Sequence, residues 1–263
     1  MLPDIQNKKD LRGKRIDKVG VREIILPIQL LDEKDNIVST IANFSLYCDL
    51  SPKLKGVSMS RFVEVIQEAV SRDFDYTVVE NILRIMKERL ESSDSYVKMR
   101  FKYFIDKKAP VSGKIGTIDY DVTIEGRLIN NDKKLYLTVE VPYTSLCPCS
   151  KEISSYGAHN QPSTATVTLE LQKMLPIKAV IERIEEQVCC SMYSVLKRPD
   201  EKFVTEKAYD NAKFVEDVAR DISLSLDKTL DYSIKDYVIV INHNESIHKH
   251  VATAIINAGR ALR

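Results

Sequence analysis

Four stretches of the chain alternate apolar and polar side chains without a break. Val97, Met99, Phe101 and Tyr103 interleave with Lys98, Arg100 and Lys102, and Ile118, Tyr120, Val122 and Ile124 with Asp119, Asp121, Thr123 and Glu125. Leu135, Leu137, Val139 and Val141 interleave with Tyr136, Thr138 and Glu140, and Ala165, Val167, Leu169 and Leu171 with Thr166, Thr168 and Glu170. Successive side chains on a strand point to opposite faces, so this period of two predicts antiparallel strands with one buried face. Asn130-Asn131-Asp132 supplies turn residues between two of them.

A period near 3.6 marks the helices. Phe62, Ile66, Ala69 and Val70 form one stripe behind a cap at Ser58 or Ser60, and Val79, Ile82, Leu83, Met86 and Leu90 form a second. Ile177, Val180, Ile181, Ile184 and Val188 form a third, with Pro176 in its first turn. Val215, Val218, Ala219, Ile222 and Leu226 form a fourth, capped by Asp210 or Asn211. In order, the chain reads as strands over 16–31 and 37–48, helices over 58–72 and 77–92, and strands over 95–104 and 115–126. Strands over 134–143 and 163–172, helices over 177–195 and 211–229, and strands over 231–242 and 248–257 follow. The order ββααββ therefore occurs twice, which predicts an N-terminal module over 1–128 and a C-terminal module over 129–263. Two helices between strand pairs place helices on one face of an antiparallel sheet, an α+β arrangement. The other sheet face also needs cover, and pairing of sheets within or between chains supplies it, so an oligomer is expected.

Composition narrows the class. With 263 residues, 44% hydrophobic and 29% charged, the chain can bury a core and is not a disordered polymer. Lys+Arg number 39 and Asp+Glu 38, a net charge of +1 that argues against a general nucleic-acid or membrane-surface binder. The first 23 residues are charged throughout and do not read as a secretory signal, and no run reaches the roughly 18 apolar residues of a spanning helix. Five cysteines, an odd number that includes the neighbours Cys189 and Cys190, do not form a disulfide framework. A reduced, cytoplasmic protein is expected. Eight glycines leave no phosphate-binding loop and no dinucleotide fingerprint.

The candidate chemistry sits in the second half, because among the thiols and imidazoles only Cys48 precedes residue 140. Thr144-Ser145-Leu146-Cys147-Pro148-Cys149-Ser150-Lys151-Glu152 and Ser155-Tyr156-Gly157-Ala158-His159-Asn160-Gln161-Pro162 connect two strands over roughly 20 residues, long for a hairpin and typical of a functional loop. Two thiols and an imidazole suit a borderline-soft divalent metal and leave a position open. The competing reading makes the cysteines packing residues at a strand end. Further on, Glu245 precedes His248 and His250, whose spacing would put both rings on one face if the segment is a strand. Such a pair serves as metal ligands, as acid and base, or as phosphate contacts. His243 is assigned no role. Lys197 to Glu206 reads alone as a solvated charged connector. Cys189 and Cys190, placed in the third helix, and Cys48, at a strand end, read as packing residues.

Ser145-Leu146-Cys147-Pro148-Cys149-Ser150-Lys151-Glu152-Ile153-Ser154 with Gly157-Ala158-His159-Asn160-Gln161 resembles the signature of the prokaryotic type IB GTP cyclohydrolases. Glu245-Ser246-Ile247-His248-Lys249-His250 and Phe214-Val215-Glu216-Asp217 are similar to that family's other blocks, in the same order along essentially the whole chain. The resemblance implies two tandem tunnelling-fold modules, each ββααββ, assembled as a homotetramer with pockets at subunit interfaces. It implies hydrolysis of GTP to 7,8-dihydroneopterin triphosphate and formate, the first step towards folate. One divalent ion (manganese, iron or zinc) is implied on Cys147, His159 and Glu201, with Glu206 close enough to compete for the carboxylate role. Cys149 is implied to be catalytic, Glu216 to anchor guanine, and Glu245, His248 and His250 to complete the pocket. For the triphosphate, Lys197, Arg198, Lys151 and the paired histidines are the candidates. Two rivals stay open: an archaeal-type relative that makes dihydroneopterin 2',3'-cyclic phosphate, and a non-catalytic metal-binding assembly module.

Overall fold

The computed structural model describes residues 5–6, 8–31, 37–70, 76–173, 175–228 and 233–259. The expected helix ends at 71–72 and 229 and the strand start at 231–232 lie outside the described residues. The chain divides into two compact units, one of Met1–Lys102 with Thr123–Tyr136, the other of Tyr103–Val122 with Leu137–Arg263.

The first unit holds strands β1 (Ile16–Leu31) and β2 (Ile37–Leu50), helices α1 (Met59–Val70) and α2 (Tyr76–Leu90), and the greater part of strand β3 (Asp94–Lys108). Strand β4 (Ile115–Ile129) enters it from Thr123. β1 pairs with β2 and β2 with β3, both antiparallel, with Phe44 opposite Met99 in the second ladder. The inward residues of β2 and β3 (Ala42, Phe44, Leu46, Val97, Met99) and the helical stripes (Phe62, Ile66, Val79, Ile82, Met86) are all essentially without solvent exposure. Hydrophobic burial of these two matched faces closes the unit. The turn after β4 places Asn130 and Asn131 at φ of 46° and 69°, the left-handed pair of a type I′ hairpin turn, for which asparagine is suited. Arg15 reaches Asp94 at 2.7 Å and Asp49 at 3.1 Å, and Asp49 accepts the backbone N–H of Ser93 and Asp94, fixing the entry into β3.

The second unit holds β5 (Asp132–Leu146) from Leu137 on, α3 (Pro148–Ile153), β6 (Asn160–Leu171), α4 (Ile177–Glu185) and β7 (Cys190–Ser191). Helices α5 (Arg198–Asp210) and α6 (Val215–Asp227) and strands β8 (Ile234–Asn244) and β9 (Val251–Asn257) complete it. β6 pairs antiparallel with β8 and β8 with β9, while β7 adds a two-residue rung to β5. Ala165, Val167, Ile239 and Ile241 from the strands meet Ile181, Ile184, Val218 and Ile222 from α4 and α6 in the core. Lys107 donates to both oxygens of Glu185 at 2.8 Å and Tyr120 donates to one of them at 2.7 Å, so this nearly buried charge pair is hydrogen-bonded on both sides.

Four expectations are corrected. The helix expected over 177–195 stops at Glu185, because later carbonyls bond elsewhere: Asn211 Nδ2 takes those of Val188 and Cys189, and Lys213 Nζ takes that of Gln187. Cys189 and Cys190 are buried as expected, but Cys190 lies in β7 and neither is helical. The charged connector is helix α5, and Asp210 and Asn211 end it rather than capping α6, whose N-cap is Phe214. Helix α5 carries no apolar stripe; its signals are Pro199 in the first turn, followed by Asp200 and Glu201.

A Cβ on Gly20 of β1 would overlap the carbonyl oxygen of Leu46 across the ladder. Gly20→Ala is therefore expected to destabilise the protein by about 1–3 kcal/mol in urea unfolding, since backbone rather than a flexible side chain must give way.

Candidate active site

The loop between β5 and β6 carries the first group of site residues. It is closed at its base by the backbone N–H of Cys147 donating to the carbonyl of His159 at 3.3 Å, which brings these two residues together. Between them, Pro148 opens the short helix α3 and Cys149 follows it, exposed. Gly157 turns the chain back at φ 98°, a conformation that favours glycine. Cys147 and His159 are half-buried, and His159 Nδ1 is a buried nitrogen with no hydrogen-bond partner. Lys151 is engaged on α5: its Nζ donates to the carbonyl of Tyr209 at 2.6 Å and lies over that ring.

Glu201 stands exposed in the first turn of α5, with Glu206 one turn further on, near Lys202. What fixes this helix is the fully buried Asp200. Its carboxylate accepts the backbone N–H of Val111, Ser112 and Lys197 and the Ser112 hydroxyl, at 2.6 to 2.8 Å. Burial works to raise the Asp200 pKa, and these hydrogen bonds outweigh it, holding the carboxyl well below the usual range. Among the described residues, no three of His, Cys, Asp and Glu converge as a metal site. The thiol of Cys147 and the orphaned Nδ1 of His159 fit a soft divalent cation; Glu201 is not gathered with them within the single chain.

The second group lies where β8 ends. Glu245 follows Asn244, and a turn in which the His248 N–H donates to the Glu245 carbonyl at 3.1 Å folds His248 back. His248 Nε2 lies 3.4 Å from Glu245 Oε2, and His248 and His250 stack with ring centres 4.7 Å apart. Gln161 Nε2 donates to Glu245 Oε1 at 3.1 Å. Glu216 is exposed in the first turn of α6, two residues after Phe214.

His243 had no expected role, yet it is 2% exposed and its Nε2 meets the Tyr143 hydroxyl at 2.7 Å, with the rings edge to face. Burial pushes its pKa down to about 4, against the opposing pull of the Glu245 and Glu216 carboxylates, so the ring is neutral at pH 7. The signal for it was present: His243 shares the inward face of β8 with Ile239 and Ile241. A cavity of about 660 Å³ opens beside the first group. Leu146, Ala158 and Asn160, the neighbours of Cys147 and His159, line it with Asp119, Met192 and Tyr209.

The fold is that of the tunnelling-fold proteins. The uricase from Arthrobacter globiformis superposes with a TM-score of 0.60 at 6% identity, covering 94% of each chain, and urate oxidase from Bacillus sp. TB-90 with a TM-score of 0.55 at 6% identity, covering 93% of this chain and 100% of the other. At such identity the likeness is one of fold alone. The family described as Type I GTP cyclohydrolase folE2 matches residues 2–254, and the chain belongs to it. It is 45% identical over 255 residues to GTP cyclohydrolase FolE2 of Thiobacillus denitrificans (97% of this chain, 94% of the other) and 44% identical over 262 residues to that of Azoarcus sp. (99% and 96%).

A histidine whose pKa is lower in the folded than in the unfolded chain loses its contribution to stability as the pH falls through the window where only the unfolded chain takes up the proton. Wild-type stability is accordingly expected to fall as the pH drops from about 6.5 towards the folded value. His243→Gln should flatten that part of the profile, as read by denaturant unfolding across pH.

Proposed function

We propose that the protein is a GTP cyclohydrolase of the prokaryotic type IB, converting GTP and water to 7,8-dihydroneopterin triphosphate and formate at the entry to folate synthesis. The observation that carries this reading is family membership across residues 2–254, together with a loop that ties Cys147 to His159 beside an exposed Cys149. C8 of guanine is a weak electrophile, so water attack there needs the ring nitrogen N7 to take a proton. Cys149 and His248 are the groups that supply and relay it, as a thiol and an imidazole do near neutral pH. Glu216 accepts the parallel N1–H and exocyclic amine of guanine, a two-point contact that adenine does not offer. Lys197 and Arg198 face the triphosphate as cations, His248 and His250 offer it ring N–H donors, and Glu245 orients His248.

Cys147 and His159 would hold one divalent ion, manganese, iron or zinc, and Glu201, which stands apart from them within the single chain, would have to be brought to it on assembly or binding. When bound, the ion supplies the Lewis acidity that makes water a nucleophile at neutral pH. The orphaned His159 Nδ1 and the donor types support this. The active form is a cytoplasmic homotetramer with pockets at subunit interfaces. Support comes from apolar side chains exposed on strands, Ile25 and Ile41 on β1 and β2 and Val251 and Ile255 on β9, which a partner would cover. No helix among the described residues is long and apolar enough to cross a membrane.

The deciding experiment incubates the pure protein with GTP and manganese, then measures formate and, after oxidation, pterin fluorescence, with product mass to show whether the triphosphate is retained. Retained triphosphate is expected; a cyclic phosphate product would move the protein to the archaeal type, and no turnover would contradict the reading. In the same assay Cys149→Ala is expected to lose at least about 100-fold in turnover while keeping its metal, and Cys147→Ala to lose the metal itself. Metal content by elemental analysis separates the two.

A further inference from the structure

The β6–β8 ladder pairs Ser163 with His243 and Thr164 with Asn242. Continued by one inward-facing pair, the same register sets Gln161 across from Glu245, and the Gln161 Nε2 to Glu245 Oε1 bond of 3.1 Å is made there. Only the amide NH2 can face a carboxylate, so the orientation of this side chain is fixed by chemistry. Gln161 is 2% exposed, its backbone carbonyl accepts the Ser163 hydroxyl at 2.6 Å, and its side-chain Oε1 is buried with no partner. A buried amide with its own Oε1 unpaired contributes little to the fold, and its acceptor Glu245, 22% exposed, would find water in its place. What it secures is Glu245. One carboxylate oxygen is held by Gln161, which leaves the other facing His248 Nε2 at 3.4 Å, and His248 in turn stacks on His250.

We propose that Gln161 is a positioning residue for the reaction: by donating to Glu245 it sets the carboxylate that orients His248, and turnover depends on that alignment. The inference rests on the GTP cyclohydrolase reading and deepens it, because neither Cys147 nor His159 enters it. Gln161→Met keeps the shape and removes both polar atoms. Gln161→Glu keeps the shape and replaces the donor with an acceptor turned on Glu245.

Both variants are expected to lower kcat for GTP at least about tenfold, the order of effect of a misaligned reacting group, with KM changed much less. Gln161→Met is expected to melt at the wild-type temperature or above it, which a residue retained for stability would not do. In a double-mutant cycle with Glu245→Ala, which removes the acceptor altogether, the further loss from Gln161→Met should shrink to within about twofold, since its only route of action has gone. Undiminished kcat in both Gln161 variants, a kcat loss in Gln161→Met that comes with a lowered melting temperature, or a full further loss in the Glu245→Ala background would each overturn the proposal. A wild-type protein inert towards GTP would remove the cyclohydrolase reading and this inference together; active wild type with indifferent Gln161 variants would remove this inference alone.

Discussion

The register of β6 against β8 is the constraint on which the site depends. Side chains on a strand alternate between faces, so a one-residue slip of β6 would turn Gln161 and Ser163 outward, away from His243 and Glu245 on the inward side of β8. The register is held by what the same strands bury: Ala165 and Val167 against Ile239 and Ile241, all without exposure, packed beneath α4 and α6. The hydrophobic core of the second unit and the placement of Glu245 are thus one fact. Changing the first changes the second.

Onto this frame the loop from Leu146 to Asn160 is attached at both ends. The Cys147–His159 backbone bond closes its neck, Lys151 ties α3 to the C-terminal turn of α5, and Asp200 ties the N-terminal turn of α5 to the segment at Val111 and Ser112. Reactive groups on a loop are useful only when the loop has a defined conformation, and here side chain to backbone bonds provide it. Lys151 is accordingly a brace in this structure.

Much of the fold was legible because hydrophobic period is a direct record of burial. The alternation of Val97, Met99 and Phe101, and the stripe of Val79, Ile82 and Met86, mark the faces that are found buried. What stayed hidden is set by other forces. Helix α5 is held by caps and by the buried Asp200, which leave no apolar stripe to read. The early end of α4 follows from Asn211 and Lys213 capturing carbonyls 22 to 26 residues away in sequence, a contact no local window contains. His243 is in phase with Ile239 and Ile241, which marks it as inward; its partner Tyr143 lies 100 residues earlier, beyond any local window. The roles of Cys149 and Glu216 came from resemblance of motif, since nothing in spacing alone distinguishes an exposed thiol or a first-turn carboxylate that acts from one that does not.

The central claim is that a guanine nucleotide and a divalent cation meet at the neck of the Cys147–His159 loop. Crystals of the whole protein grown with manganese and a guanine nucleotide, measured for anomalous scattering, test it most directly. The account predicts a peak within bonding distance of Cys147 Sγ and His159 Nδ1, with the base held on the Glu216 carboxylate. A cation bound elsewhere, or a base seated away from that loop, would contradict it.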